Sequence, residues 1–211
     1  MPPRTTRNTS KRKRKAENSE GEEEQVQNPA KAGKTAVPTV PADTVPDTGP
    51  AYWLMKAEPE TRIEKGKDVK FSIRDLKAIG TSQWDGVRNY EARNNMRRMK
   101  VDDIVLFYHS NCKVPGIAGL AKVVKESYPD HTAWDSEHPY FDAKTKKDDP
   151  KWFMVDVEYM AEFDRLIPLK ELQGYSDLKE MHLVKRGRLS VQPVTSHEFE
   201  FIRALASLKD E

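Results

Sequence analysis

The chain has 211 residues, 36% apolar and 33% charged, with a formal net charge of +2 and a single cysteine, Cys112. That length suits one domain with a tail, or two small domains, and the high charge content predicts that part of the chain is disordered. One cysteine excludes an intrachain disulfide and a cysteine-based zinc site, and no apolar run nears the roughly 18 residues of a membrane span, nor does the start carry a secretory core. The composition reads as a soluble intracellular protein.

Residues 1–50 hold none of the eighteen Phe, Trp and Tyr but seven of the fourteen prolines. Such a segment cannot bury enough surface to offset its chain entropy, so it reads as a disordered tail. Within it lies KRKRK (Lys11, Arg12, Lys13, Arg14, Lys15), followed by an acidic GEEE at 21–24. Five consecutive cations suit a nuclear-import receptor or a nucleic-acid backbone; the plainer reading is a solvating charge block. An accessible tail on an intracellular chain favours import and a nuclear location. Gly33-Lys34-Thr35 resembles the end of a phosphate-binding loop, but the glycine required upstream is Asn28.

The domain is expected over residues 51–211. Its charges balance at 27 of each sign, so any nucleic-acid binding there must use a local patch and a specific pocket. YWLMKA (52–57) predicts a strand. Ser72 to Asp75 forms a capping box for a helix ending near Gly80. Residues 89–99 predict a helix with Ala92, Met96 and Met99 on one face. IVLFYH (104–109) and GIAGLAKVV (116–124) follow as strands, and Gly119 marks a bulge or a close backbone approach. Residues 125–151 form a long polar excursion. Residues 152–163 alternate as a strand, Pro168 opens a short helix, and 188–194 are a strand that Pro193 places at an edge or end. Thr195 and Glu198 form a second capping box, opening a helix with Phe199, Ile202 and Leu205 inward. Without βαβ alternation, the fold class is α+β: a mixed, mainly antiparallel sheet or small barrel with helices at its ends.

Catalytic patterns are weak. The histidines at 109, 131, 138, 182 and 197 show no metal-ligand spacing, and no nucleophile elbow or dinucleotide fingerprint occurs. His109 and Cys112 lie too close along one strand end for a nucleophile and its base. Asp85 with Asp102 and Asp103 can be drawn as a nuclease cluster, but Asp102-Asp103 reads better as a turn. No enzyme activity, metal or cofactor is expected.

Base-reading chemistry is concentrated in QWDGVRNYEARNNMRRMK (83–100). A protein that holds one unstacked base needs planar groups to stack on it, polar groups at its edge and cations for flanking phosphates. Trp84 and Tyr90 are planar, Asn89 both donates and accepts, and Arg88, Arg93, Arg97, Arg98 and Lys100 are cationic. Asp85 either accepts from an exocyclic amine or orients Arg88. Each has a plainer reading: Trp84 as core, Asn89 as a helix cap, the arginines as a solvated face.

YWLMKAEPE, WDGVRNYEARNNMR, VLFYHSN, PGIAGLAKVVKESYPD, WFMVDVEY and RLSVQPVT, spread over residues 52–195, together resemble the EVE domain of the PUA-like superfamily. The resemblance implies a PUA-like β-barrel with flanking helices and a non-enzymatic reader of a flipped, modified base. The ligand it implies is modified cytosine in DNA, 5-hydroxymethylcytosine among them, or else a modified base in RNA. Carried onto this chain, the pocket is framed by Trp53, Lys56, Trp84, Asp85, Arg88, Asn89, Tyr90, Tyr108, Ser110, Asn111, Ser190 and Gln192. Trp84 or Tyr90 would stack, Asn89 and Ser110 would read the base edge, and Arg88 and Arg93 would hold phosphates. Glu58 stands where the family motif often has Ser. No membrane partner is expected, and the chain is expected to be a monomer.

Overall fold

The computed structural model describes residues 49–207. The KRKRK run and nearly all of the tail read as disordered lie outside the described residues.

In chain order the elements are β1 (Tyr52–Ala57), β2 (Ile63–Glu64), β3 (Lys67–Asp68), α1 (Ile73–Ile79), β4 (Thr81–Gln83), α2 (Tyr90–Met96), β5 (Ile104–His109) and β6 (Gly116–Pro129). They continue with β7 (Phe153–Pro168), α3 (Leu169–Leu172), α4 (His182–Lys185), β8 (Val191–Val194) and α5 (Ser196–Ala206). Six strands form one sheet in the order β4-β7-β6-β5-β1-β8, and β2 pairs with β3 as a separate ribbon. β1 runs parallel to β5, and every other pairing is antiparallel. The expected mixed, mainly antiparallel α+β fold is present. The barrel implied by the resemblance is not closed: the sheet stays open, with β4 and β8 as its two edges.

Both faces of this sheet are covered, and strand alternation assigns the residues. Trp53 and Met55 of β1 with Val105 and Phe107 of β5 point to one face, where Ile73 and Leu76 of α1 and Ala92 and Met96 of α2 meet them. Leu54, Leu106 and Tyr108 point to the other, against Leu172 of α3 and Phe199, Phe201, Ile202 and Leu205 of α5. Strands buried on both sides read as continuous apolar runs, which is what YWLMKA and IVLFYH are.

The local signals hold. Both capping boxes form, Ser72 with Asp75 and Thr195 with Glu198. Pro193 lies on the edge strand β8, and Pro168 precedes α3. Gly119 sits at a register shift, and a Cβ there would lie 2.2 Å from the carbonyl oxygen of Ala161, so no other residue fits. The strands β6 and β7 run further than their sequence patterns, to Pro129 and Pro168, because they pair with each other along most of their length.

Candidate nucleic-acid site

The turn Trp84–Arg88 crosses the end of the sheet face shared by α1 and α2. Trp84 continues from β4, and its backbone N–H donates to Val155 (2.8 Å). Its ring is 8% exposed and meets Phe71 and Phe107 edge-on. Gly86 adopts φ +72°, and a Cβ there would lie 2.5 Å from the Tyr140 ring, so glycine is required both for the backbone and for the contact.

A buried carboxylate ties this turn to the excursion after β6. Asp130 is 0% exposed and accepts four hydrogen bonds: from Gly86 N (3.0 Å), Arg88 Nη1 (2.7 Å), Thr132 N (3.0 Å) and Thr132 Oγ1 (2.6 Å). Burial pushes its pKa up, but Thr132, Arg88 and Gly86 together hold it below the usual carboxylate range. Arg88 also donates through Nε to the Tyr140 carbonyl (2.7 Å). Arg88 is therefore a strut inside the protein: Nη1 and Nε, which could otherwise grip a phosphate, are engaged by Asp130 and the Tyr140 carbonyl, and Nη2 is buried without a hydrogen-bond partner.

Around the turn lies a cavity of about 690 Å³. Its walls come from the end of β1 (Lys56, Glu58), the segment before α1 (Lys70, Phe71), β4, the turn itself, the excursion (His138, Tyr140) and Ser190. The volume falls within the range of small-molecule sites and exceeds what one nucleobase fills. Phe71, Trp84 and Tyr140 supply aromatic surface.

Asp85 differs sharply from its neighbour Asp130. Its side chain is 33% exposed, lines the cavity and accepts no hydrogen bond; the imidazole Nε2 of His138 lies 3.6 Å away. Burial first and the Asp130 charge second raise its pKa above the ordinary carboxylate value, against the pull of His138 and Arg88. Because Arg88 pairs with Asp130, orienting Arg88 is not the task of Asp85. Its carboxylate remains available to a ligand.

A second, adjoining cavity of about 380 Å³ shares Lys56, Glu58 and Ser190 with the first and adds Tyr108, Ser110, Asn111 and Arg188. The Lys56 amine donates to the Gly187 carbonyl (2.6 Å) above the Tyr108 ring, and burial lowers its pKa to about 8. Burial pushes the Tyr108 phenol up to about 12. Glu58 accepts from Arg62 (2.6 Å) and Asn111 (3.0 Å), so it is not a bare anion at this position.

The expected pocket residues thus separate into three groups. Lys56, Trp84, Asp85, Arg88 and Ser190 line the main cavity, while Tyr108, Ser110 and Asn111, again with Lys56 and Ser190, line the second. Trp53, Asn89, Tyr90, Arg93 and Gln192 line neither. Trp53 is core, with its indole N–H on Asp103 (2.8 Å). Gln192 is fully buried and donates to the carbonyls of Leu189 (2.7 Å) and Arg186 (3.1 Å). Asn89 caps α2, its side-chain oxygen accepting from Glu91 N (2.9 Å) and Ala92 N (3.0 Å). That cap occupies backbone N–H groups at the start of α2 that could otherwise face an anion. Tyr90 is 57% exposed and stacks on Trp152 at 5.0 Å, outside the cavity, with Arg93 over its ring at 4.8 Å.

Sequence reasoning missed Phe71, Asp130, His138 and Tyr140. Phe71 directly precedes the first capping box, and Tyr140-Phe141 is an aromatic pair inside an otherwise polar excursion; those were the available signals. Among the described residues no group of His, Cys, Asp and Glu is arranged to hold a metal ion, and no helix is long and apolar enough to cross a membrane.

The open six-stranded sheet, covered on both faces and indented at one end by a cavity with aromatic walls and a carboxylate that accepts no hydrogen bond, defines an α+β domain with a recessed site at one end of its sheet. The chain belongs to the EVE domain family, whose model matches residues 51–205. It is 57% identical to mouse thymocyte nuclear protein 1 over 73% of each chain, and 48% identical to the zebrafish protein of that name over 97% of each. Among solved structures it is similar to human THYN1 protein in complex with 5-methylcytosine-containing DNA, with a TM-score of 0.74 and 53% identity over 76% of this chain and 99% of that one. A protein from Leishmania major superposes with a TM-score of 0.69 at 49% identity, over 75% of this chain and 95% of that one.

Proposed function

We propose that this protein is a non-enzymatic reader of modified cytosine in DNA, holding the base flipped out of its stack in the main cavity. The observation that carries this reading is the Asp85 carboxylate, which accepts no hydrogen bond, in a cavity with aromatic walls. A carboxylate that is partly desolvated and accepts no hydrogen bond raises the free energy of the empty protein, and a ligand N–H donor recovers it. Cytosine presents an exocyclic amine at that edge; thymine presents a carbonyl, which would face the carboxylate as a second acceptor. Asp85 takes over the edge-reading role that the sequence gave to Asn89. Tyr140, backed by Gly86, is the ring on which the base stacks, and Trp84 with Phe71 forms the floor.

The complex of human THYN1 protein with 5-methylcytosine-containing DNA supports the choice of ligand. 5-Hydroxymethylcytosine is the second candidate, since Ser82 and Gln83 bring polar groups to the cavity wall. The names of the curated relatives and the KRKRK run support a nuclear location, with import through a receptor that binds the tail.

The test is an equilibrium titration of the full chain with one oligonucleotide carrying cytosine, 5-methylcytosine or 5-hydroxymethylcytosine, single- and double-stranded, at fixed salt. Tighter binding of a modified form is expected, with the preference lost in Tyr140→Ala. Equal binding to all three forms, unchanged in Tyr140→Ala, would overturn the reading and turn the search to modified RNA.

A further inference from the structure

Ten arginines lie between residues 49 and 207. Six of them, at 62, 74, 88, 165, 186 and 203, have a carboxylate within ion-pair distance. Three of the remaining four are Arg93, Arg97 and Arg98, gathered at the end of α2. In a domain whose charges balance, the positive excess is therefore local.

These three guanidiniums are ordered by rings in place of acids. Arg93 lies over Tyr90 (4.8 Å), Arg97 over Phe153 (4.7 Å) and Arg98 over Trp53 (5.5 Å). A guanidinium held over a ring keeps its charge, and it has already lost much of its rotamer freedom. Arg93 spends its edge only on neutral acceptors, Asn94 and the Lys151 carbonyl. The acids nearby are engaged: Glu91 by Arg186, Glu126 by Lys100, and Asp103 inside the fold by Trp53 and two backbone N–H groups. A line of stacked groups joins this face to the cavity. Arg88, on the cavity wall, lies over Trp152 (5.7 Å), Trp152 stacks on Tyr90 (5.0 Å), and Tyr90 carries Arg93.

We infer that Arg93, Arg97 and Arg98 form a track for the phosphodiester backbone of the DNA strand whose flipped base occupies the cavity. This rests on the cavity reading, because the line of stacked groups sets where the strand runs. Guanidiniums match phosphate oxygens, and the absence of acid partners leaves the charge of all three unneutralised, with Arg93 exchanging neutral acceptors for phosphate. The track carries affinity and no sequence information; selection stays with Asp85 and Tyr140.

The experiment compares the full chain with R93Q/R97Q/R98Q and with R93K/R97K/R98K, checking by circular dichroism that each is folded. Binding of the 5-methylcytosine oligonucleotide and of its unmodified twin is measured at several salt concentrations. The glutamine variant is expected to flatten the slope of log K against log salt by about 3, near one per lost phosphate contact. The ratio between modified and unmodified DNA should stay that of the parent, and the lysine variant should restore the slope. A slope equal to the parent's in the glutamine variant overturns the track, and assigns the face to another partner such as an acidic protein. A parent chain without preference for the modified base, combined with a flattened slope, overturns the cavity reading and keeps the track.

Discussion

The two faces of the sheet are built to different specifications. The face under α5 is closed: Phe199, Phe201, Ile202 and Leu205 fill it, and a complete capping box starts the helix. The face under α1 and α2 has an equally apolar centre, but at one end its packing gives way to a cavity in which a carboxylate accepts no hydrogen bond. Stability and recognition are thus assigned to opposite sides of one layer of strands, and substitutions should separate them.

The largest expected effect tests the closed face. Phe201→Ala removes a ring that is 1% exposed and should cost roughly 3–5 kcal/mol in denaturant unfolding, while the folded fraction keeps the parent's preference among cytosine forms. A change in that preference would show that the faces are coupled and break the division.

Next in size is Asp85→Asn. Loss of a charged acceptor should remove roughly 1.5–3 kcal/mol of discrimination between cytosine and thymine at the flipped position, with stability unchanged or slightly raised. The pH dependence sharpens the point. The Asp85 pKa is raised in the free protein, and an amine donor favours the ionised form, so binding releases a proton. Affinity should therefore fall as pH drops from neutral through that raised pKa, and this dependence should vanish in Asp85→Asn. A retained dependence would move the proton release to His138 or elsewhere.

The smallest effect concerns Asn89. As a helix cap its loss to alanine should cost about 1 kcal/mol of stability and leave base discrimination intact. Altered discrimination without a stability loss would return Asn89 to the role of base reader.

Much of this was legible in the sequence. The double-sided burial of β1 and β5, both capping boxes and the tight place for Gly119 follow from patterns a few residues long. The turn at 84–88 was recognised, but its internal assignments were not. An asparagine that caps a helix and one that reads a base have the same chemistry in one dimension, and the two aspartates near Arg88 in space, Asp85 and Asp130, are separated by more than forty positions in the chain. Tyr140 became visible only because Gly86 brings its ring to the turn. β4, with three residues, and the β2–β3 ribbon, with two residues a strand, are too short to show a period. The open edge of the sheet depends on pairings over the whole domain, which no local pattern encodes.

The sheet order has a consequence for how the protein is made. β1 is the first long element to leave the ribosome, yet its two neighbours are β5 and β8, and β8 ends at Val194. Throughout most of synthesis, the strand bearing Trp53, Leu54 and Met55 has one flank unpaired and the α5 face unroofed. A nascent chain stalled or cut shortly before residue 190 would display a sticky apolar edge, a substrate for chaperones and for self-association. The last fifteen or so residues of the domain act as its lock, and quality control of the domain waits until they have been made.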